Sequence, residues 1–303
     1  MWDIIVIGAG PAGLTAAIYA RRAKKKVLVL EAESYGGQII NTLDIENYPA
    51  APHINGYEFA TNIYNQAKEL GAEIKFEKAI NIEDGDIKKV ITTSNSYETK
   101  TIIIATGCGI RKIGLDREDD LLGKGISYCA TCDGAFFKGK NVAVVGGGNT
   151  AIEDALYLSD IVSKVYLIHR RESFRAEDTS IDDLKNKDNI EIIYNSNVTK
   201  LVGDKKLEGI QVIDNNGVVK KIDVSGMFIA IGRIPSNVNF TKVVNVDDKG
   251  YIIATEDCKT NVEGIYVAGD CRVKTLRQLV TAASDGAVAA TNAIKYINRR
   301  VNV

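Results

Sequence analysis

Asp3-Ile4-Ile5-Val6-Ile7-Gly8-Ala9-Gly10-Pro11-Ala12-Gly13 stands almost at the start of the chain, and its reading decides the fold. The apolar run 4–7 predicts a parallel strand buried on both faces, and residues 11–23 predict an alanine-rich helix. Between them lies GxGxxG in the strand-turn-helix context that the motif requires. Its glycines permit the tight turn, let backbone N–H groups approach a pyrophosphate and let the helix pack close to the strand, while the helix N-terminus favours the anion. A second strand, 27–30, ends in Glu31, where a ribose hydroxyl needs an acceptor. A glycine-rich turn of purely structural use is the alternative reading.

The pattern then recurs. Residues 140–145 read as a strand, and Gly146-Gly147-Gly148-Asn149-Thr150-Ala151 opens another helix as GxGxxA. The strand 164–168 leads to His169, in the register that Glu31 holds after Gly8. The acid is replaced by a basic group, His169, Arg170, Arg171 and Arg175, and guanidinium groups bind a 2′-phosphate that an acid would repel. The second site therefore predicts NADPH rather than NADH, against the alternative of a solvated basic turn. The five basic residues Arg21, Arg22 and Lys24 to Lys26 at the end of the first helix read instead as solvated charge that complements the helix dipole.

Weaker echoes complete a duplication. Residues 102–107, ending at Thr106-Gly107, resemble residues 227–232, and small residues at a strand's carboxyl end suit a backbone passing close to a cofactor. A third glycine-marked strand, 264–270, precedes a helix from about 279 to 297. The fold class expected is α/β, two Rossmann-like three-layer nucleotide-binding domains with the second inserted into the first. The boundaries expected are 1–111 and 242–303 for the first, discontinuous domain and 112–241 for the inserted one, with linkers near 111–125 and 240–245.

Ahead of the second fingerprint lies Cys129-Ala130-Thr131-Cys132-Asp133. Two thiols two residues apart can close a disulfide on themselves, hold two electrons and pass them on by thiol exchange. Half of a zinc site is the alternative, but zinc asks for four ligands, and the chain has no second CxxC and only two histidines, His53 and His169. No metal is expected. Asp133 is a candidate for moving the proton that thiolate chemistry requires, or for capping the helix that follows.

The 303 residues, 45% hydrophobic, can bury the cores of two domains. A formal net charge of −1 gives no field that draws nucleic acid or an anionic membrane, and no apolar run approaches the length of a membrane span. Five cysteines without a secretory pattern fit a reducing cytoplasm.

Taken in order, GAGPAG at 8–13, GGQ at 36–38, ENYP at 46–49, CATCDG at 129–134, GGGNTA at 146–151, HRRESFRAE at 169–177, and AGD with RQ at 268–270 and 277–278 make the chain resemble the low-molecular-weight, bacterial-type thioredoxin reductases over its whole length. The resemblance implies FAD in the first domain, NADPH in the second, a homodimer, and oxidised thioredoxin as protein substrate. It implies FAD contacts at Gly8, Gly10, Pro11, Ala12, Gly13, Glu31, Gly36, Gly37, Gln38, Asn47, Gly107, Asp270, Arg277, Gln278 and Leu279. It places NADPH on Gly148, Asn149, Thr150 and Ala151, with the 2′-phosphate at Arg170, Arg171 and Arg175; Gly146 and His169, from their places in the fingerprint and the basic group, are further candidates for the same site. Cys132 would meet the flavin and Cys129 would attack thioredoxin, whereas Cys108, Cys258 and Cys271 fall outside the active pair.

The order of the motifs adds one expectation. The CxxC and the NADPH fingerprint share one domain and the single flavin belongs to the other, so both reach it in turn only if the inserted domain rotates between half-reactions. A reductase fed by ferredoxin, one that serves another small disulfide protein, and a non-catalytic flavin-binding module are the competing readings.

Overall fold

The opening apolar run forms β1 (Trp2–Ile7), and alternation along it feeds two cores: Ile4 and Val6 enter one, Ile5 and Ile7 the other. The computed structural model describes residues 1–42, 44–175 and 178–301. After β1 and α1 (Pro11–Arg22) come β2 (Val27–Glu31), α2 (Gly56–Glu69), β3 (Glu73–Phe76), β4 (Ala79–Glu83), β5 (Lys88–Thr92) and β6 (Ser96–Ile104). The chain crosses through β7 (Cys108–Ile110) to β8 (Ile126–Ser127), α3 (Ala130–Asp133), β9 (Asn141–Gly146), α4 (Asn149–Ser159), β10 (Lys164–Ile168) and α5 (Asp178–Lys185). There follow β11 (Ile190–Ile193), β12 (Ser196–Val202), β13 (Gly209–Asp214), β14 (Val219–Ile222) and β15 (Gly226–Ala230). The chain returns through β16 (Arg233–Pro235) to β17 (Ile265–Val267) and α6 (Leu279–Val301).

Two compact units result, Met1–Gly109 with Ile234–Val303, and Ile110–Arg233. The return crossing thus lies at 233–234 rather than near Phe240, where the sequence suggested a linker. Phe240 is the reason: it is buried and packs with Ile5, Ile7, Val244 and Ile252, which fixes residues 234–241 to the first unit's core.

In the first unit β3, β2, β1 and β6 lie side by side in parallel. The sheet forks at β6: residues 96–99 pair with β5 antiparallel, and residues 102–104 pair with β17 in parallel. Alanines of α1 and α6, among them Ala12, Ala16, Ala289 and Ala293, cover the face that holds Ile4 and Val6. The opposite face is closed by Ala79, Ile82 and Val90 of the β4–β5 hairpin together with Phe240, Val244 and Ile252.

The second unit repeats the plan, with order β11-β10-β9-β15-β8 and every pairing parallel. Ile152, Ala155 and Leu158 of α4 and Leu184 of α5 pack on one face, and Val198, Ile210, Val212 and Ile222 of the antiparallel sheet β12-β13-β14 pack on the other. The duplication read from sequence is therefore a duplication of strand order: β9, β10, β11 and β15 repeat β1, β2, β3 and β6. In each unit the fingerprint loop leaves the strand at which the order reverses, where open α/β sheets leave a ligand crevice beyond their carboxyl ends. Among the described residues no helix is long and apolar enough to cross a membrane.

Candidate functional site

The glycines of the first fingerprint answer to different demands. Gly8 has φ +111°, and a Cβ on it would lie 2.3 Å from the carbonyl oxygen of Ala105 at the end of β6. Gly10 has an ordinary φ of −77°, and nothing stands within 4 Å of where its Cβ would be. Protein packing thus gives no reason for glycine at position 10. An anion approaching the start of the 12-residue α1, which has Pro11 at its first turn and no side-chain cap, does.

Around this opening the chain gathers most of the residues that the sequence singled out. The N–H of Ala9 donates to Glu31 Oε2 at 2.7 Å, and the N–H of Gly36 donates to the Ala9 carbonyl at 2.8 Å. A Cβ on Gly37 would lie 3.5 Å from Gly10 Cα, so the GGQ turn runs along the fingerprint, with Gln38 exposed beside it. Asn47 Nδ2 donates to Gln278 Oε1 at 3.1 Å, joining ENYP to RQ. Arg277 lays its guanidinium 4.2 Å from the Tyr251 ring centre and reaches the Asp270 carbonyl at 3.4 Å, just before Leu279 opens α6. A Cβ on Gly269 would stand 2.8 Å from Ala12 Cβ, so the AGD turn lies against α1; the space at Gly107 is open, as at Gly10.

The second fingerprint repeats this with one exchange. Gly148 has φ −105°, no neighbour within 4 Å of a Cβ, and precedes the uncapped start of the 11-residue α4, whose first residues are Asn149, Thr150 and Ala151. A Cβ on Gly146 would strike the Ala230 carbonyl oxygen at 2.5 Å. Where Glu31 closes on Ala9, His169 closes on Gly147: a Cβ there would lie 2.0 Å from the imidazole. Burial holds the His169 pKa below its ordinary value, and Nε2–H donates to the Ser173 carbonyl at 2.9 Å. His169 is therefore a neutral brace for the loop, while Arg170, Arg171 and Arg175 are exposed cations. The loop returns so that Arg175 N–H donates to the Gly147 carbonyl at 2.8 Å, which sets this arginine beside the phosphate-binding turn. Ala176 and Glu177, the end of the HRRESFRAE motif, lie outside the described residues.

Cys129 and Cys132 are joined in a disulfide, their Cα atoms 5.3 Å apart. Both are partly exposed, and Cys129 is the N-cap residue of α3. Asp133 caps nothing: its carboxylate accepts from the Ser127 hydroxyl at 2.6 Å. Burial raises its pKa, and the Ser127 bond opposes that shift. The other cysteines are buried; burial pushes Cys258 up to about 12 and Cys271 up to about 11, so both are poor nucleophiles at neutral pH.

Residues 2–287 match the family described as pyridine nucleotide-disulphide oxidoreductase. The chain belongs to this family. Thioredoxin reductases of Listeria monocytogenes and Bacillus subtilis are 42% and 39% identical to it, each over 98% of this chain and over 94% and 95% of their own lengths. The crystal structure of thioredoxin reductase from Streptococcus pyogenes superposes with a TM-score of 0.95 at 38% identity, covering 99% of both chains.

The residues present fit the flavin and pyridine nucleotide of an oxidoreductase of this family. Gly10 and Gly148 leave open exactly the places where a pyrophosphate would meet a helix start, and protein contacts explain neither glycine. The Cys129–Cys132 disulfide has supports outside its motif that the sequence did not disclose. Glu118, 4% exposed, accepts N–H bonds from Ile113, Gly114 and Leu115 and the Tyr128 hydroxyl at 2.6 Å, fastening the residue before Cys129 to the loop that enters the unit. Ser127 is the second such support. Asp44, Glu46 and His53 also bring ligand atoms within 4.8 Å of one another. The Asp44 hydrogen bond raises the His53 pKa above its ordinary value.

Proposed function

We propose that the chain takes two electrons from NADPH, passes them through FAD to the Cys129–Cys132 disulfide, and reduces the disulfide of thioredoxin, acting as a homodimer in the cytoplasm. The observation that carries this reading is the partly exposed Cys129–Cys132 bridge set in the unit that also holds the second nucleotide fingerprint. When bound, NADPH supplies a hydride and FAD supplies the two-electron step between hydride and disulfide. The chain's own residues bind and orient. The start of α1 with Gly10, and the turn at Gly36 and Gly37, take the FAD pyrophosphate, and Glu31 takes a ribose hydroxyl. Asn47, Asp270, Arg277, Gln278 and Leu279 supply the remaining FAD contacts. The start of α4 with Gly148 takes the NADPH pyrophosphate, and Arg170, Arg171 and Arg175 take the 2′-phosphate.

At the dithiol, Cys132 faces the flavin chemistry, Cys129 attacks thioredoxin, and Asp133 moves a proton. Rotation of residues 110–233 about the crossings at 109–110 and 233–234 brings dithiol and nicotinamide to the flavin in turn. Anaerobic titration of the purified yellow protein tests the whole. NADPH is expected to bleach the flavin and release two thiols, and NADH to do so only at much higher concentration. Bleaching by reduced ferredoxin and by neither nucleotide would overturn the donor. The double substitution Arg170→Ala with Arg171→Ala is expected to raise the KM for NADPH by roughly tenfold or more, the size of one lost charge-assisted pair. The KM for NADH should stay where it is, and equal change for both would remove these arginines from the 2′-phosphate.

A further inference from the structure

Ser127 is the last residue of β8, 2% exposed, and its register partner on β15 is the buried Phe228. The sheet therefore fixes its hydroxyl. Oγ accepts the N–H of Cys129 at 3.0 Å and lies 2.6 Å from Asp133 Oδ2 and 3.3 Å from the Cys129 carbonyl. One hydroxyl proton serves one acceptor well, and the short contact to a carboxylate is the stronger of the two. The chain of contacts runs Cys129 N–H to Ser127 Oγ–H to Asp133 Oδ2, linking the start of the dithiol turn to the acid at its end.

We propose that Ser127 is a positioning residue for disulfide reduction: it holds the Asp133 carboxyl in place and selects the form in which that carboxyl meets the reaction. This rests on the reading above in which Asp133 moves a proton. Two electrons delivered from NADPH through FAD break the sulfur–sulfur bond and leave two thiolates. One takes a proton from Asp133, which regains it from water, so that a thiol and a thiolate remain. The Cys129 thiolate attacks the acceptor's disulfide, forming a mixed disulfide and releasing one acceptor thiolate. Cys132, giving up its proton, then closes the Cys129–Cys132 bond and releases the second. NADPH, one proton and the acceptor disulfide become NADP⁺ and the acceptor dithiol.

Burial disfavours the Asp133 carboxylate and the Ser127 bond favours it, and these two influences account for its shift. The helix α4 packs against α3 and carries Glu153 and Asp154, with Asp160 just after its end, and none of the three contributes to that shift; α3 itself and the turn Gly134–Phe137 carry no other charge. Removing the hydroxyl leaves burial alone, so the carboxyl stays protonated to higher pH.

The test is the single-turnover rate of disulfide reduction in the FAD-loaded enzyme, measured from pH 5 to 10 for the wild type, Ser127→Ala, Ser127→Thr and Asp133→Asn. The alkaline limb is expected to move up by about one pH unit in Ser127→Ala, the size of one hydrogen bond to a charged group. It should return in Ser127→Thr, which keeps a hydroxyl. A Ser127→Ala limb that coincides with the wild type, while Asp133→Asn slows the step, overturns the role of Ser127. A wild-type profile in Asp133→Asn overturns the proton role of Asp133 instead. If Ser127→Ala fails to hold flavin, the threonine variant decides alone: its wild-type limb supports the hydroxyl, and a limb displaced upward overturns it.

Discussion

Replacing Cys132 by serine is expected to abolish reduction of thioredoxin, by at least roughly a thousandfold or about 4 kcal/mol of barrier, while NADPH continues to bleach the flavin. The disulfide is the only oxidised pair among the described cysteines, because Cys108, Cys258 and Cys271 form no disulfide and are buried. Among the described residues no other disulfide stands ready to accept two electrons. Serine removes the bridge without changing the shape of the turn, since the Cys129 carbonyl still accepts from the N–H groups of residue 132 at 3.3 Å and of Asp133 at 3.1 Å. The two half-reactions should therefore separate. Flavin absorbance followed with NADPH reports the first, and NADPH consumption with oxidised thioredoxin reports the second. Turnover that survives at more than a few per cent would mean that electrons reach the acceptor without passing through Cys129 and Cys132.

That separation was legible because its parts are local. A strand, a glycine turn and a helix lie within about twenty residues of one another, and the duplicated strand order follows from the repeated pattern. The meeting of Asn47 with Gln278 could be expected only from the resemblance, since 231 positions separate them. What the sequence hid depends on burial and on irregular backbone. His169 stands in the register of Glu31, and among three arginines it read as one more cation. The structure buries its ring against Gly147, and that contact is also why the fingerprint has a glycine where the first has Ala9.

Ser127 and Glu118 escaped notice for a related reason. Neither lies in a motif, and each acts through a hydrogen bond across an irregular turn, six residues to Asp133 and ten to Tyr128. No periodicity marks such contacts. The position of the return crossing was hidden as well, because Phe240 belongs to the first unit by packing alone.

The largest effect on stability is expected from Asp285. Its carboxylate accepts from Arg272 Nε and Nη2, both at 2.9 Å, from Lys274 Nζ at 2.8 Å and from the Gly269 N–H at 3.0 Å. The side chains are 7%, 2% and 5% exposed for Asp285, Arg272 and Lys274, so this one acid on α6 organises the segment 269–274 just before the proposed flavin contacts at Arg277 to Leu279. Asp285→Ala leaves two cations buried with their shared partner gone, a change that costs about 3 to 5 kcal/mol. A cavity of about 130 Å³ lined by Arg272, Lys274 and Ser284 adjoins the group. It gives both cations room to take water in place of the lost carboxylate, so the expected loss lies at the lower end of that range, near about 3 kcal/mol. Burial alone would raise the Asp285 pKa, but the Arg272 and Lys274 bonds outweigh it and hold the pKa below its ordinary value. The contribution is accordingly present above the unfolded pKa of about 4 and is lost as pH falls through the folded value. Urea unfolding of the FAD-loaded protein at pH 7 and near pH 3 measures both. Wild type and Asp285→Ala should differ by about 3 kcal/mol at pH 7 and by less near pH 3. An equal gap at both pH values would show that the loss comes from packing at α6 rather than from the charges that Asp285 holds.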